Sequence, residues 1–240
     1  MNIRLKFKQL FSANLLAPFA RPYCLLCTAH NGGDLGLCEA CLNDLPWHDA
    51  PQCPQCGLLS NGLVCGSCLN KPPYFDATYS LFTYDFPVDR LIQQFKYRNM
   101  LHLADTFATL FNQKHSALNQ VHKIDLIIAM PMHSTRLKDR GFNQALEMMR
   151  IIAKNTRIKY DVKACTRIKH TPPQASLPLK ERIKNIHGVF SCPQNLQGLN
   201  IAIVDDVMTT GASLNELAKT LKQAGAVRVE CWVMARTLPR

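Results

Sequence analysis

Eight cysteines arranged as four Cys-x-x-Cys pairs constrain this 240-residue chain more than any other feature: Cys24/Cys27, Cys38/Cys41, Cys53/Cys56 and Cys65/Cys68. A Cys-x-x-Cys turn aims two thiolates at one point, and two such turns complete a tetrahedral metal site. Residues 24–70 carry one Trp and a scatter of Leu, too little apolar surface to offset the ordering of roughly fifty residues. Metal binding, worth on the order of 10–16 kcal/mol per structural zinc, closes that gap. A redox dithiol would account for one pair but not four. The short intervals between pairs favour sequential sites, Cys24, Cys27, Cys38 and Cys41, then Cys53, Cys56, Cys65 and Cys68, over an interleaved, cross-braced set. Four thiolates leave no open position, so two Zn²⁺ are expected in a structural role. Cys165, Cys192 and Cys231 stand apart, and buried free thiols are their default reading.

The composition changes near Lys71-Pro72-Pro73, which divides the chain into an N-terminal segment (1–23), a double zinc ribbon (24–73) and a larger domain (74–240). Residues 75–81 alternate as a strand does. Val88, Leu91, Ile92 and Phe95 then repeat with helical spacing, and a second helix is expected over 101–118. Ile124 to Met130 is a nearly continuous apolar run stopped by Pro131, the pattern of a strand buried on both faces of a parallel sheet. A polar loop is expected next, then a helix from about Asn143. Residues 161–168 and 188–192 read as strands, and Ile201-Ala202-Ile203-Val204 as a central one. A helix over 213–223 stops at Gly225, and Val227 to Met234 forms the last strand. Strands alternating with helices predict an α/β fold with a mainly parallel sheet.

The chain carries 28 Lys and Arg against 17 Asp and Glu, a net charge of +11. That excess favours polyanionic partners such as nucleic acid or phosphorylated small molecules. It is spread along the chain, with no basic block. No apolar run reaches the eighteen or so residues of a membrane span. The basic start spaces Ile3, Phe7, Leu10 and Phe11 as a short amphipathic helix and lacks the continuous apolar centre of a secretion signal. A cytoplasmic location is the expectation.

The strongest chemical pattern is Asp205, Asp206, Val207, Met208, Thr209, Thr210, Gly211, Ala212 and Ser213, directly after the apolar strand. Two adjacent carboxylates are followed by a hydroxyl- and glycine-bearing turn that opens a helix. Backbone N–H groups of such a turn, with the helix N-terminus, favour a phosphate. Thr209, Thr210 and Ser213 add hydroxyls, and the aspartates suit vicinal ribose hydroxyls and Mg²⁺. A plain helix cap with dipole-complementing acids explains either half of the pattern but not both at once. No lysine follows the last glycine, which excludes a nucleoside-triphosphate P-loop. A second basic loop, Pro131 to Gln144, leaves the carboxyl end of the other buried strand, where open α/β sheets bind ligands. Its Arg136 and Arg140 can fork onto pyrophosphate oxygens as lysines would not. Lys96 is either a further phosphate contact or surface charge, and the eight histidines show no metal-like spacing.

The stretch from Asp205 resembles the 5-phosphoribosyl-1-pyrophosphate motif of type I phosphoribosyltransferases. With the double zinc ribbon, Lys96-Tyr97 and Arg140-Gly141-Phe142-Asn143-Gln144, the chain from Cys24 to Thr237 resembles the ComF/GntX family of competence-related, DNA-utilisation proteins. The resemblance implies a type I phosphoribosyltransferase-like sheet, with Asp205 and Asp206 as catalytic carboxylates and 205–213 as the binding segment. It also implies a pyrophosphate loop holding Arg136 and Arg140, and a flap over 167–185 with Arg167, Gln174 and Arg182 as contacts. The family role it implies is use of imported single-stranded DNA, with competence or recombination proteins as partners. The chemistry implied for an active member is displacement of pyrophosphate from the anomeric carbon by a nitrogen nucleophile. Two alternatives stand beside it: a nucleobase-salvage transferase, and a zinc-ribbon nucleic-acid binder with an inert second domain. No general base or acceptor pocket is legible, which leaves catalytic activity open. The intact 205–211 segment counts against the inert reading.

Overall fold

The computed structural model describes residues 23–116, 123–169 and 186–239. Apart from Tyr23, the helix expected over 1–23 lies outside them, as do Gln174 and Arg182. The chain divides into two compact units, Met1–Asp44 and Leu45–Arg240. In the first, Cys24 opens a tight turn in which Thr28 N–H donates to Cys24 C=O at 2.8 Å. Helix α1 (Glu39–Asn43) follows the second pair's first cysteine.

The second unit begins with the other two cysteine pairs and helix α2 (Gly66–Asn70). It continues with β1 (Ala77–Thr83), α3 (Val88–Tyr97), α4 (His102–Lys114), β2 (Leu126–Ala129), α5 (Ser134–Arg140) and α6 (Gln144–Thr156). Then come β3 (Lys159–Tyr160), β4 (Thr166–Arg167), β5 (Phe190–Ser191), β6 (Asn200–Met208), α7 (Ala212–Gln223) and β7 (Arg228–Arg236). Five strands form one sheet in the order β1-β7-β6-β2-β3, every neighbour parallel. The α/β expectation is borne out, and β7 is buried along almost its whole length, as a central parallel strand should be. β4 and β5 pair separately and antiparallel.

The apolar spacing read in α3 holds, since Val88, Leu91, Ile92 and Phe95 are its buried face. Three expectations are corrected. The polar loop after β2 contains a helix, α5, because the His133 side chain caps it and Gly141, at φ 83°, ends it in the left-handed conformation. The strands expected over 161–168 and 188–192 shrink to the two-residue β4 and β5. The central strand does not stop at Val204: β6 continues to Met208 because β7 keeps pairing with it, Asp205 with Val233 and Met208 with Arg236.

Edge strand β1 is covered by the chain just before it. Thr83 N–H donates to Pro46 C=O, His48 N–H to Leu81 C=O, and Thr78 N–H to Pro54 C=O. The stretch that leads into the second cysteine cluster therefore satisfies an edge that would otherwise invite pairing with another chain.

Candidate functional site

In the sheet, β2 leads outward to β3 on one side while β6 leads to β7 on the other. The loops leaving the carboxyl ends of β2 and β6 therefore diverge, and the crevice between them is where an open α/β sheet binds ligands. A cleft of about 670 Å³ opens there. It brings together Asp205 and Asp206 from β6, Ser213 from α7, Arg136 and Arg140 from α5, Arg167 from β4 and Lys96 from α3. An adjoining lobe shares Lys96, Arg136, Arg167, Asp206 and Ser213 and adds Val207 and Thr209. Met208 is buried below the cleft. Thr210, Gly211 and Ala212 form the turn and the helix start without lining either lobe.

Charge in the cleft is unbalanced on both sides. Burial, then the adjacent Asp206 charge, push the Asp205 carboxyl up to about 7. Lys96 Nζ sits 3.0 Å from Asp206 Oδ2, with both side chains largely buried. Burial works against the Lys96 charge, but the two carboxylates outweigh it and hold the ammonium above its ordinary range. Burial and neighbouring Arg136 depress Arg167, with Asp205 partly offsetting them. Two crowded carboxylates facing three guanidiniums and an ammonium suit a ligand that brings its own cation and its own anionic groups.

The surrounding residues fix these groups in place. Asn143 caps α6 by accepting from Ala145 N–H at 3.1 Å, and its Nδ2 donates to Met130 C=O at 3.1 Å, tying the α5–α6 loop to the end of β2. Arg140 donates to Gln144 Oε1 at 2.8 Å and lies over the Tyr97 ring, 5.2 Å from its centroid. Gln144 is buried, and among the described residues its Nε2 has no partner. Gly211 has φ 76°, and a Cβ there would fall 2.7 Å from Met208 Cε. The left-handed backbone there favours glycine over any residue with a Cβ.

The sequence reading missed Arg236. This buried residue donates Nε to Cys56 C=O at 2.8 Å. Its Nη1 donates to the carbonyls of Met208, Thr209 and Thr237. It thus ties the second cysteine cluster to the turn after β6. The available clue was a charge at the end of an apolar strand.

The thiols converge as expected. Cys24, Cys27, Cys38 and Cys41 form one group and Cys53, Cys56, Cys65 and Cys68 another, with the ligand atoms of each group all within 4.8 Å of one another. Pairing is sequential. Cys65 N–H donates to Cys53 Sγ at 3.3 Å, the kind of outer hydrogen bond that stabilises a thiolate ligand. Both groups fit closed, structural Zn²⁺ sites. Among the described residues, no helix is long and apolar enough to cross a membrane.

These features define a protein class: two sequential four-cysteine metal groups and a parallel-sheet α/β domain with its cleft at the sheet's switch point. A family model for the double zinc ribbon domain matches residues 13–69. The DNA utilization protein YhgH of Salmonella typhi is 33% identical over 208 residues, covering 85% of this chain and 91% of that protein. Competence protein F of Haemophilus influenzae is 32% identical over 209 residues, covering 84% and 90%. Competence protein ComFC of Bacillus subtilis is 24% identical over 238 residues, covering 89% and 95%. The chain belongs to the ComF/GntX family of competence and DNA-utilisation proteins. Among solved structures, the allosteric regulatory enzyme of purine biosynthesis matches 54% of this chain and 25% of its own, at 17% identity and a TM-score of 0.37. A purine phosphoribosyltransferase from Pyrococcus horikoshii matches 55% and 82%, at 18% and 0.35. Likenesses that low carry no weight for function.

Proposed function

We propose that this protein binds 5-phosphoribosyl-1-pyrophosphate together with Mg²⁺ in the cleft and acts in the use of imported single-stranded DNA in the cytoplasm. The observation that supports it best is the convergence of Asp205 and Asp206 with Arg136, Arg140, Arg167 and Lys96 around one cavity beside the Thr209–Ser213 turn. A plain helix cap needs none of those cations.

In this reading the Thr209–Ser213 turn takes the 5-phosphate on its backbone N–H groups. Asp205 and Asp206 hold the ribose hydroxyls and a divalent ion. Arg136 and Arg140 fork onto the pyrophosphate, and Lys96 exchanges Asp206 for a phosphate oxygen. Residues 174 and 182, outside the described part, remain proposed flap contacts alongside Arg167. When bound, Mg²⁺ neutralises charge on the pyrophosphate. If an acceptor nitrogen attacks the anomeric carbon, the new C–N bond forms as the C–O bond breaks, and pyrophosphate leaves with the electron pair. The arginines are placed to stabilise the charge that builds on it.

The DNA role rests on the names of the relatives, the +11 charge and exposed aromatic side chains such as Tyr74 and Tyr97. Single-stranded DNA should bind weakly, without sequence preference, and less tightly as salt rises. Isothermal titration with phosphoribosyl pyrophosphate, with and without Mg²⁺ and single-stranded DNA, tests both parts. Heat of binding that requires Mg²⁺ supports the ligand assignment. No binding under any condition ends it, and salt-independent DNA affinity ends the DNA assignment.

A further inference from the structure

Two of the cysteines outside the metal groups face each other across the β4–β5 stem. The register pairs Thr166 with Ser191 and Arg167 with Phe190, so one step outward sets Cys165 opposite Cys192. One step inward, Ile168 N–H donates to Val189 C=O at 2.8 Å. Hydrogen-bonded and non-hydrogen-bonded pairs alternate along an antiparallel ladder, so Cys165 and Cys192 occupy a non-hydrogen-bonded pair. Cα atoms in such pairs stand about 4.5 Å apart, inside the range of about 4.4–6.8 Å that disulfides span. Side chains opposed in this way share a face, and both cysteines belong to one apolar cluster. Burial, and then the Cys192 thiol beside it, hold the Cys165 thiol well above its ordinary range. Cys165 is buried, whereas Cys192 is partly exposed, and both are free thiols.

The bland reading makes both residues small apolar fillers. It accounts for Cys165 but not for a second thiol set directly opposite it with one side open to solvent. The stem also carries functional weight. Arg167, two residues from Cys165, lines the cleft and lies 5.6 Å from the ring centroid of its cross-strand partner Phe190.

We propose that Cys165 and Cys192 form a reversible disulfide that staples the β4–β5 stem and holds Arg167 at the cleft. With a small-molecule disulfide as oxidant, the Cys192 thiolate attacks one sulfur and expels one thiolate, leaving a mixed disulfide. Cys165 then gives up its proton, attacks the Cys192 sulfur and expels the second thiolate. Two protons and two electrons pass from the cysteines to the oxidant, which leaves as two thiols. Oxidant enters through Cys192, since Cys165 is covered.

The test uses the full zinc-loaded chain treated with oxidised glutathione, then alkylated and digested without reduction. The expected product is a Cys165–Cys192 linked peptide, reversed by dithiothreitol, with zinc content unchanged and the link absent from Cys192→Ser. Separate adducts at the two thiols, or a link from either to a zinc-group cysteine, would overturn the proposal. Hydrogen exchange reads the staple itself: the Ile168 amide should slow at least tenfold on oxidation in the wild type and not in Cys192→Ser. An unchanged rate means no staple forms. The consequence for Arg167 rests on the proposed phosphate site and is read with inorganic pyrophosphate. Affinity several-fold higher in the oxidised protein supports it, and equal affinity in both forms removes the latch. If pyrophosphate binds neither form, the phosphate site fails while the cross-link and exchange results still decide the disulfide.

Discussion

The sheet holds carboxylates in two settings that differ in whether their charge is satisfied from within. Glu230, in the first half of β7, is fully buried. Its Oε1 accepts from Arg228 Nε at 2.7 Å and its Oε2 from Trp232 Nε1 at 3.2 Å. Asp205 and Asp206, toward the carboxyl end of β6, are crowded against each other. Asp205 Oδ1 accepts the Asp206 N–H at 2.9 Å, and the direct ion pair of Lys96 is with Asp206. The result is an Asp205 carboxyl raised to about 7. A buried charge whose partners all come from the chain is a structural element. A pair of like charges opening on a cleft stores repulsion that an incoming cation relieves.

Arg236 belongs with Glu230 in this contrast, because its partners are internal, and one of them is the Cys56 carbonyl in the second cysteine cluster. The largest expected effect follows. Cys53→Ser should remove one of two zinc ions per chain, cost on the order of 10 kcal/mol locally, and weaken pyrophosphate binding by loosening the turn after β6. Cys24→Ser, in the other compact unit, should also remove one zinc and leave pyrophosphate binding intact. Elemental analysis and calorimetry on both variants check this, and equal losses of binding would break the link through Arg236.

Next in size is Glu230→Gln, which removes the carboxylate that Arg228 bonds directly. Unfolding in denaturant should show a loss of about 1.5–3 kcal/mol, with ligand affinity within twofold of wild type. A large affinity loss at unchanged stability would reverse the assignment of the two settings.

The single aspartate variants should diverge. Asp206→Asn removes the direct partner of the Lys96 ammonium and should cost about 1–3 kcal/mol. Asp205→Asn should stabilise the empty protein by about 1 kcal/mol at pH 7.5. The sign follows from its shift: a folded carboxyl raised from 3.8 to about 7 favours the folded state while protonated, and stability is lost as pH rises across that window. Melting curves at pH 5 and 7.5 separate the variants, and identical behaviour would mean that the two carboxylates share one environment. The smallest effect is protonic. At pH 6.5 binding of the Mg²⁺–ligand complex should release up to about one proton, seen by calorimetry in buffers of different ionisation enthalpy and absent in Asp205→Asn.

What was legible in the sequence was what is set locally. Cysteine spacing places both four-thiol groups, and the apolar runs at 124–130 and 201–204 locate the buried strands whose exits carry the arginines and the diacid. What was missed depends on contacts between distant segments. β6 runs on through Asp205 and Asp206 only because β7 pairs with it. Lys96 looked equally like surface charge because its partner lies across the cleft. Gln144 read as the start of a helix, although it also lines the cleft, its buried amide nitrogen unpaired among the described residues. Arg236 joins segments far apart in the chain, and no local pattern encodes such a link.

The measurement that bears most directly on the account is calorimetric titration of Mg²⁺ and phosphoribosyl pyrophosphate into wild type and the Asp205→Asn/Asp206→Asn double variant. Asparagine keeps size and shape while removing both charges, and each lost charge-assisted contact costs roughly 1.5–3 kcal/mol. Affinity should fall by at least an order of magnitude in the double variant, with the fold retained. Equal affinity in the two proteins would contradict the phosphoribosyl assignment of the cleft.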